Sequence, residues 1–106
     1  MDILLTRYRH TRWGLDGYIT INGVRIADTV EHPDNHLQPG TYPVTLKQMP
    51  FMPRCGPFGK KAKKKICVGR CTCSGCVINT KTIFNTLYSR IQKSRKRGHE
   101  VKLIIH

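Results

Sequence analysis

Apolar and polar positions alternate over short stretches through most of this chain, and only one stretch follows a longer period. Ile3 to Arg9 is rich in apolar, β-branched and aromatic residues and predicts a strand. His10-Thr11-Arg12-Trp13-Gly14 reads as a loop. Tyr18-Ile19-Thr20-Ile21 and Val24-Arg25-Ile26-Ala27 flank Asn22-Gly23, a pair that favours a type I′ turn because it tolerates φ > 0 at both central positions. A hairpin in that register puts Ile19, Ile21, Val24 and Ile26 on one face, which predicts a buried side.

Further on, Pro39-Gly40 punctuates the chain, and Thr41 to Leu46 resumes a strand whose Pro43 suits an edge or a bulge. Gln48 to Gly59 holds three prolines and two glycines and predicts a loop, which Lys60 to Lys65 extends as a basic tip. Short strands at Ile66 to Val68 and Cys76 to Ile78 flank a cysteine-rich turn. The longer period begins at Asn79 or Thr80, either of which suits a helix cap. Ile83, Phe84, Leu87, Tyr88 and Ile91 then recur on one helical face. Lys93, Arg95, Lys96 and Arg97 crowd the last turn, where positive charge suits the helix dipole, and Gly98 follows as a stop. Val101, Leu103 and Ile105 alternate with Lys102 and Ile104 in a final strand.

These elements predict an α+β fold that is mostly β: an antiparallel sheet or barrel with one helix in the second half and a strand after it. At 106 residues the chain has room for one domain, 1–106. No apolar run approaches the ~20 residues that span a bilayer. The start, Met1-Asp2-Ile3-Leu4-Leu5, lacks the pattern of an export signal, so the expected location is cytoplasmic. Five cysteines, an odd number, then predict reduced thiols or a metal site ahead of a disulfide framework.

Charge is distributed unevenly. Residues 1–50 carry five bases and five acids, whereas residues 51–106 carry fourteen bases against Glu100 alone, so the whole net charge of +13 sits in the second half. The candidate anion-binding residues are Lys60, Lys61, Lys63, Lys64, Lys65, Lys93, Arg95, Lys96 and Arg97. Such clusters suit a polyanion, and nucleic acid bound this way would be held through phosphates with little regard for sequence. Few aromatic residues remain for stacking bases once Phe84 and Tyr88 are assigned to the helix and Tyr18 to the hairpin.

Four of the cysteines, Cys67, Cys71, Cys73 and Cys76, lie within ten residues. Thiolates so closely spaced can bind zinc, although one compact turn differs from the two separated knuckles of most structural zinc sites. Reduced cysteines that fill the core as small hydrophobes are a second reading, and nucleophilic chemistry at Ser74-Gly75-Cys76-Val77 is a third. A cysteine nucleophile needs an electropositive setting, a base, and backbone N–H groups for the oxyanion. Gly75 allows close approach of a substrate and is the candidate backbone donor to the oxyanion, and the surrounding bases favour a thiolate at Cys76. The histidines, His10, His32, His36, His99 and His106, are all distant from it in sequence.

Several stretches together resemble a small family of uncharacterised bacterial and phage domains. They are Leu4-Leu5-Thr6-Arg7-Tyr8, Asn22-Gly23, Asp28-Thr29-Val30-Glu31, Leu37-Gln38-Pro39-Gly40-Thr41-Tyr42-Pro43-Val44, Ser74-Gly75-Cys76-Val77-Ile78 and Arg97-Gly98-His99-Glu100-Val101-Lys102-Leu103. That family is similar, more distantly, to L,D-transpeptidase catalytic domains. The resemblance implies a β-rich fold, Cys76 as nucleophile, Gly75 as the glycine before it, and a peptidoglycan peptide as partner. It also implies a histidine at the end of the preceding strand, where Ile66-Cys67-Val68-Gly69 has none. The expectation is therefore a domain of L,D-transpeptidase-like lineage, inactive or altered, with no cofactor. A basic nucleic-acid-binding module and a cysteine-rich zinc domain are the alternatives.

Overall fold

The structure is a computed structural model and describes residues 1–53 and 63–106. Along the chain run β1 (Asp2–Thr11), β2 (Gly14–Ile21), β3 (Val24–Glu31), β4 (Gly40–Pro43), β5 (Phe51–Met52), β6 (Ile66–Cys73), β7 (Cys76–Ile78), α1 (Thr80–Lys96) and β8 (Lys102–Ile105). The predicted fold class is the observed one: mostly strands, with one helix followed by a final strand. The strands lie in the order β4-β8-β1-β2-β3-β6-β5, and β7 pairs with β6 beyond that path. Pro43, which has no N–H to donate, lies in β4 at the edge of the sheet.

Strands β1, β2 and β3 form an antiparallel meander, and β6 returns antiparallel to β3. After the helix, β8 enters between β4 and β1 and runs parallel to β1. Leu87 and Ile91 of α1 are buried and join Ile3, Leu5, Ile19, Val68 and Leu103 in one core. Burying each such side chain stabilises the fold by roughly 1.5–3 kcal/mol. The helix ends as predicted: the His99 N–H reaches the Ser94 carbonyl and the Gly98 N–H the Arg95 carbonyl, the two bonds of a Schellman stop.

Four sequence-based expectations need correction. The expected loop at residues 10–14 is mostly strand, because β1 continues to Thr11 and pairs with Gly14 across the Arg12–Trp13 turn. In the Asn22-Gly23 hairpin both turn residues have the expected positive φ, 53° and 77°, but Val24 is exposed and Ile26 only half-buried. A bulge beyond Ile19↔Ala27 shifts the pairing to Thr20↔Arg25, so Ala27 replaces Ile26 opposite Ile19. Within the expected loop from Gln48, Phe51–Met52 forms β5, parallel to β6. Asn79 precedes the helix in a left-handed conformation and makes no side-chain cap.

One buried pair ties the meander to the segment before β4. Glu31 is fully buried, and Arg7 donates to it from Nε at 2.9 Å and from Nη2 at 2.7 Å. The same Nη2 donates to the Leu37 carbonyl at 2.7 Å. Removing one partner of such a pair leaves an uncompensated buried charge, at a cost of about 3–5 kcal/mol. The acid of the Thr29-Val30-Glu31 step thus has a structural task in this chain.

Candidate functional site

Cys76 begins β7, directly after the two-residue turn Ser74-Gly75 that joins it to β6. Gly75 has φ +77°, and a Cβ there would run into the Trp13 backbone, so the turn lies against the end of the β1–β2 hairpin. Two polar contacts hold it there. Ser74 and Thr11 share a hydroxyl hydrogen bond of 2.7 Å, and the Gly75 N–H donates to Asp16 Oδ1 at 2.9 Å. Asp16 is fully buried, and its other oxygen accepts from Arg9 Nε at 2.7 Å. The Gly75 amide, expected as a donor to an oxyanion, therefore already has an acceptor.

The surroundings of Cys76 raise its thiol pKa above the ordinary value. The largest cause is a hydrogen bond with the Cys73 side chain, followed by burial and by the negative charges of Cys73, Asp16 and Cys71. This direction is opposite to the one that activates a thiolate nucleophile. Among the described residues, no histidine hydrogen-bonds Cys76. His10 Nε2 lies 2.7 Å from the Pro33 carbonyl, His36 Nδ1 lies 3.0 Å from the His32 carbonyl, and His32 Nδ1 accepts the Asp34 and Asn35 N–H groups.

Gly69, at the place the resemblance gives to histidine, pairs with Asp28 in β3. A Cβ built on it would lie 2.6 Å from the Ile78 carbonyl oxygen and 3.0 Å from Val77 Cβ. β7 and the start of α1 thus pack directly onto this strand position. In this arrangement an imidazole has no room there.

The remaining cysteines differ in burial and in oxidation state. Cys67 is fully buried and disulfide-bonded, which departs from the expectation of reduced thiols throughout and removes its thiolate from any metal site. Cys71, Cys73 and Cys76 are free. Cys71 Sγ lies 3.9 Å from Tyr8 Oη and 3.8 Å from Arg9 Nη2, because a bulge in β1 between Arg7 and Arg9 brings both side chains towards it. Among the described residues, no three His, Cys, Asp or Glu side chains converge as a metal site would require.

The candidate anion-binding residues fall into two groups. Lys60 and Lys61 lie outside the described residues. Lys63, Lys64 and Lys65 are exposed, and the Lys64 and Lys65 ammonium groups donate to the His36 and Met49 carbonyls at 3.2 and 3.3 Å. Lys93, Arg95, Lys96 and Arg97 are exposed at the end of α1, and none forms an ion pair among the described residues.

Lys47, a residue the sequence did not single out, joins the two groups. It lines a groove of about 490 Å³ with Arg95 and Lys96, and a neighbouring groove of about 350 Å³ with Lys64 and Lys65. Beyond Arg95, a third groove adds Lys102, with Glu100 as its only acid. A strip of cations therefore crosses the molecule from the start of β6 to the end of α1. Nothing around Lys47 in the sequence marks it, since its role comes from the fold of the segment between β4 and β5.

Asp16 was likewise not singled out, because its neighbours Leu15 and Gly17 give no sign that it is buried. The Cys73–Cys76 pairing did leave a signal: two intervening residues, Ser74-Gly75, are the spacing of a tight hairpin. No helix is long and apolar enough to cross a membrane among the described residues. Compared with known proteins, the chain matches no protein-family model, no curated protein and no solved structure.

Proposed function

We propose that this protein is a domain of L,D-transpeptidase-like lineage that works as a nucleic-acid-binding module and not as a cysteine enzyme. The observation that carries the reading is the cationic strip through Lys64, Lys65, Lys47, Arg95 and Lys96, whose two helix residues have no anionic partner among the described residues. Unpaired cations along a groove attract a backbone of regularly spaced phosphates and release the counterions condensed on it. Few aromatic side chains border the strip, so contacts to phosphate dominate and sequence has little influence. The enzymatic reading is weakened by three features around Cys76: a raised thiol pKa, no hydrogen-bonded imidazole, and a Gly75 amide engaged with Asp16.

Fluorescence anisotropy with a labelled DNA duplex over a salt series tests the proposal. The expected result is binding at low salt that weakens linearly in log–log form, with a slope of about −4 to −5 if each of the five named cations meets a phosphate. Charge reversal at Lys47 and Arg95 together should flatten that slope by about two units. No binding at low salt, or a slope unchanged in the double variant, would leave the strip a solvated surface.

A further inference from the structure

We propose that Cys73 and Cys76 are a dithiol pair that exchanges reversibly with low-molecular-weight disulfides and closes the β6–β7 turn with a disulfide of its own. The two residues face each other in the strand register, on either side of Ser74-Gly75. Residues so placed across a tight turn have Cα atoms under ~7 Å apart, close to the 4.4–6.8 Å range in which a disulfide forms without moving the backbone. Both thiols are free. The turn between them is held by Asp16 and Thr11, so the sulfur atoms stay opposed.

The two thiols have different tasks. Cys73 is exposed and meets a small disulfide first, whereas Cys76 is half-buried and its surroundings hold its thiol pKa above the ordinary value. The Cys73 thiolate attacks one sulfur of the small disulfide; the old S–S bond breaks, one small thiolate leaves, and a mixed disulfide remains on Cys73. Cys76 then gives its proton to solvent and attacks the Cys73 sulfur, which expels the second small thiolate. Two electrons pass from the dithiol to the small disulfide, and the protein loses two hydrogens. Cys71 is the competing partner, since its sulfur donates to the Cys73 carbonyl at 3.4 Å, but the register shift between Cys71 and Cys73 leaves Cys76 paired with Cys73, and the Cys71 sulfur also meets Arg9 and Tyr8.

Mass spectrometry of the intact chain, treated with glutathione disulfide and then with glutathione, tests the pair. The tryptic peptide from Cys71 to Lys81 contains all three free cysteines, while Cys67 falls in the peptide before it. The expected result is a loss of two hydrogens located in the Cys71–Lys81 peptide, mapped by fragmentation to Cys73–Cys76 and reversed by glutathione. Cys71→Ser should keep this change. Cys76→Ser should instead trap glutathione on Cys73, and circular dichroism should show both variants folded. A bridge mapped to Cys71, a glutathione adduct on the unaltered chain that never closes, or no mass change at all would each overturn the proposal.

Discussion

Asp16 accepts the Gly75 N–H at 2.9 Å across a sequence separation of 59 residues, and the contact is fully buried. It fixes the cysteine turn onto the end of the first hairpin, with Arg9 balancing the carboxylate from the side open to solvent. In Asp16→Ala, the Gly75 amide loses its acceptor while remaining covered, and an unpaired buried donor costs about 1–3 kcal/mol. Asp16→Asn keeps an acceptor oxygen and should cost less. Urea unfolding should rank the two variants in that order. If they are equal, the Gly75 contact contributes little.

Asp28 predicts a dependence on pH. Burial alone would raise its pKa, but the Cys71 N–H at 2.8 Å and the Arg25 and Arg70 charges outweigh burial and hold the carboxyl below its usual range. A carboxyl depressed in the folded state adds stability that is fully present above its unfolded pKa, about 3.9, and is lost as pH falls through the lower folded value. Asp28→Asn should therefore show a smaller acid loss of stability than the unaltered chain below about pH 4. Urea midpoints measured from neutral pH down to about pH 2 check this, and parallel curves for the two proteins would contradict it.

Local signals in the sequence identify the elements well where the backbone chemistry is self-contained. Asn22-Gly23 alone specifies its turn, and the helix follows from Ile83, Leu87 and Ile91 recurring on one face. The Arg12–Trp13 turn is legible only as a longer loop, because no glycine or asparagine occupies its two central positions. The Thr11 hydroxyl accepts the Trp13 N–H, and the Arg12 guanidinium stacks 4.2 Å above the indole, so side chains supply what a turn residue usually would. The bulge after Ile19 is hidden for a related reason, since either Ile26 or Ala27 satisfies an apolar pattern and the pairing with Arg25 decides between them.

The site is less legible than the fold because its partners come from separate elements. Ser74-Gly75-Cys76 marks the turn in the sequence, yet the properties of that thiol depend on Cys73 across the register and on Asp16 in β2. Lys47 acquires its place in the cationic strip only when the segment after β4 meets the end of α1. Linear spacing carries the Cys73 pairing but neither the Asp16 contact nor the place of Lys47.

Position 69 tests whether the scaffold can accept the histidine that the resemblance implies. β7 lies so close that even a methyl group at Gly69 would stand 2.6 Å from the Ile78 carbonyl oxygen, a distance real side chains avoid. Backbone cannot yield as a flexible side chain can, so Gly69→Ala should already destabilise by about 1–3 kcal/mol through overpacking. Gly69→His should cost more, because the imidazole would also have to displace Val77 and the Thr80 methyl group. Thermal and urea unfolding of the two variants check the order. If both proved neutral and Cys76 labelled faster near neutral pH in Gly69→His, β7 would have enough slack to admit the imidazole, and Cys76 would gain the neighbouring base that a thiol nucleophile needs.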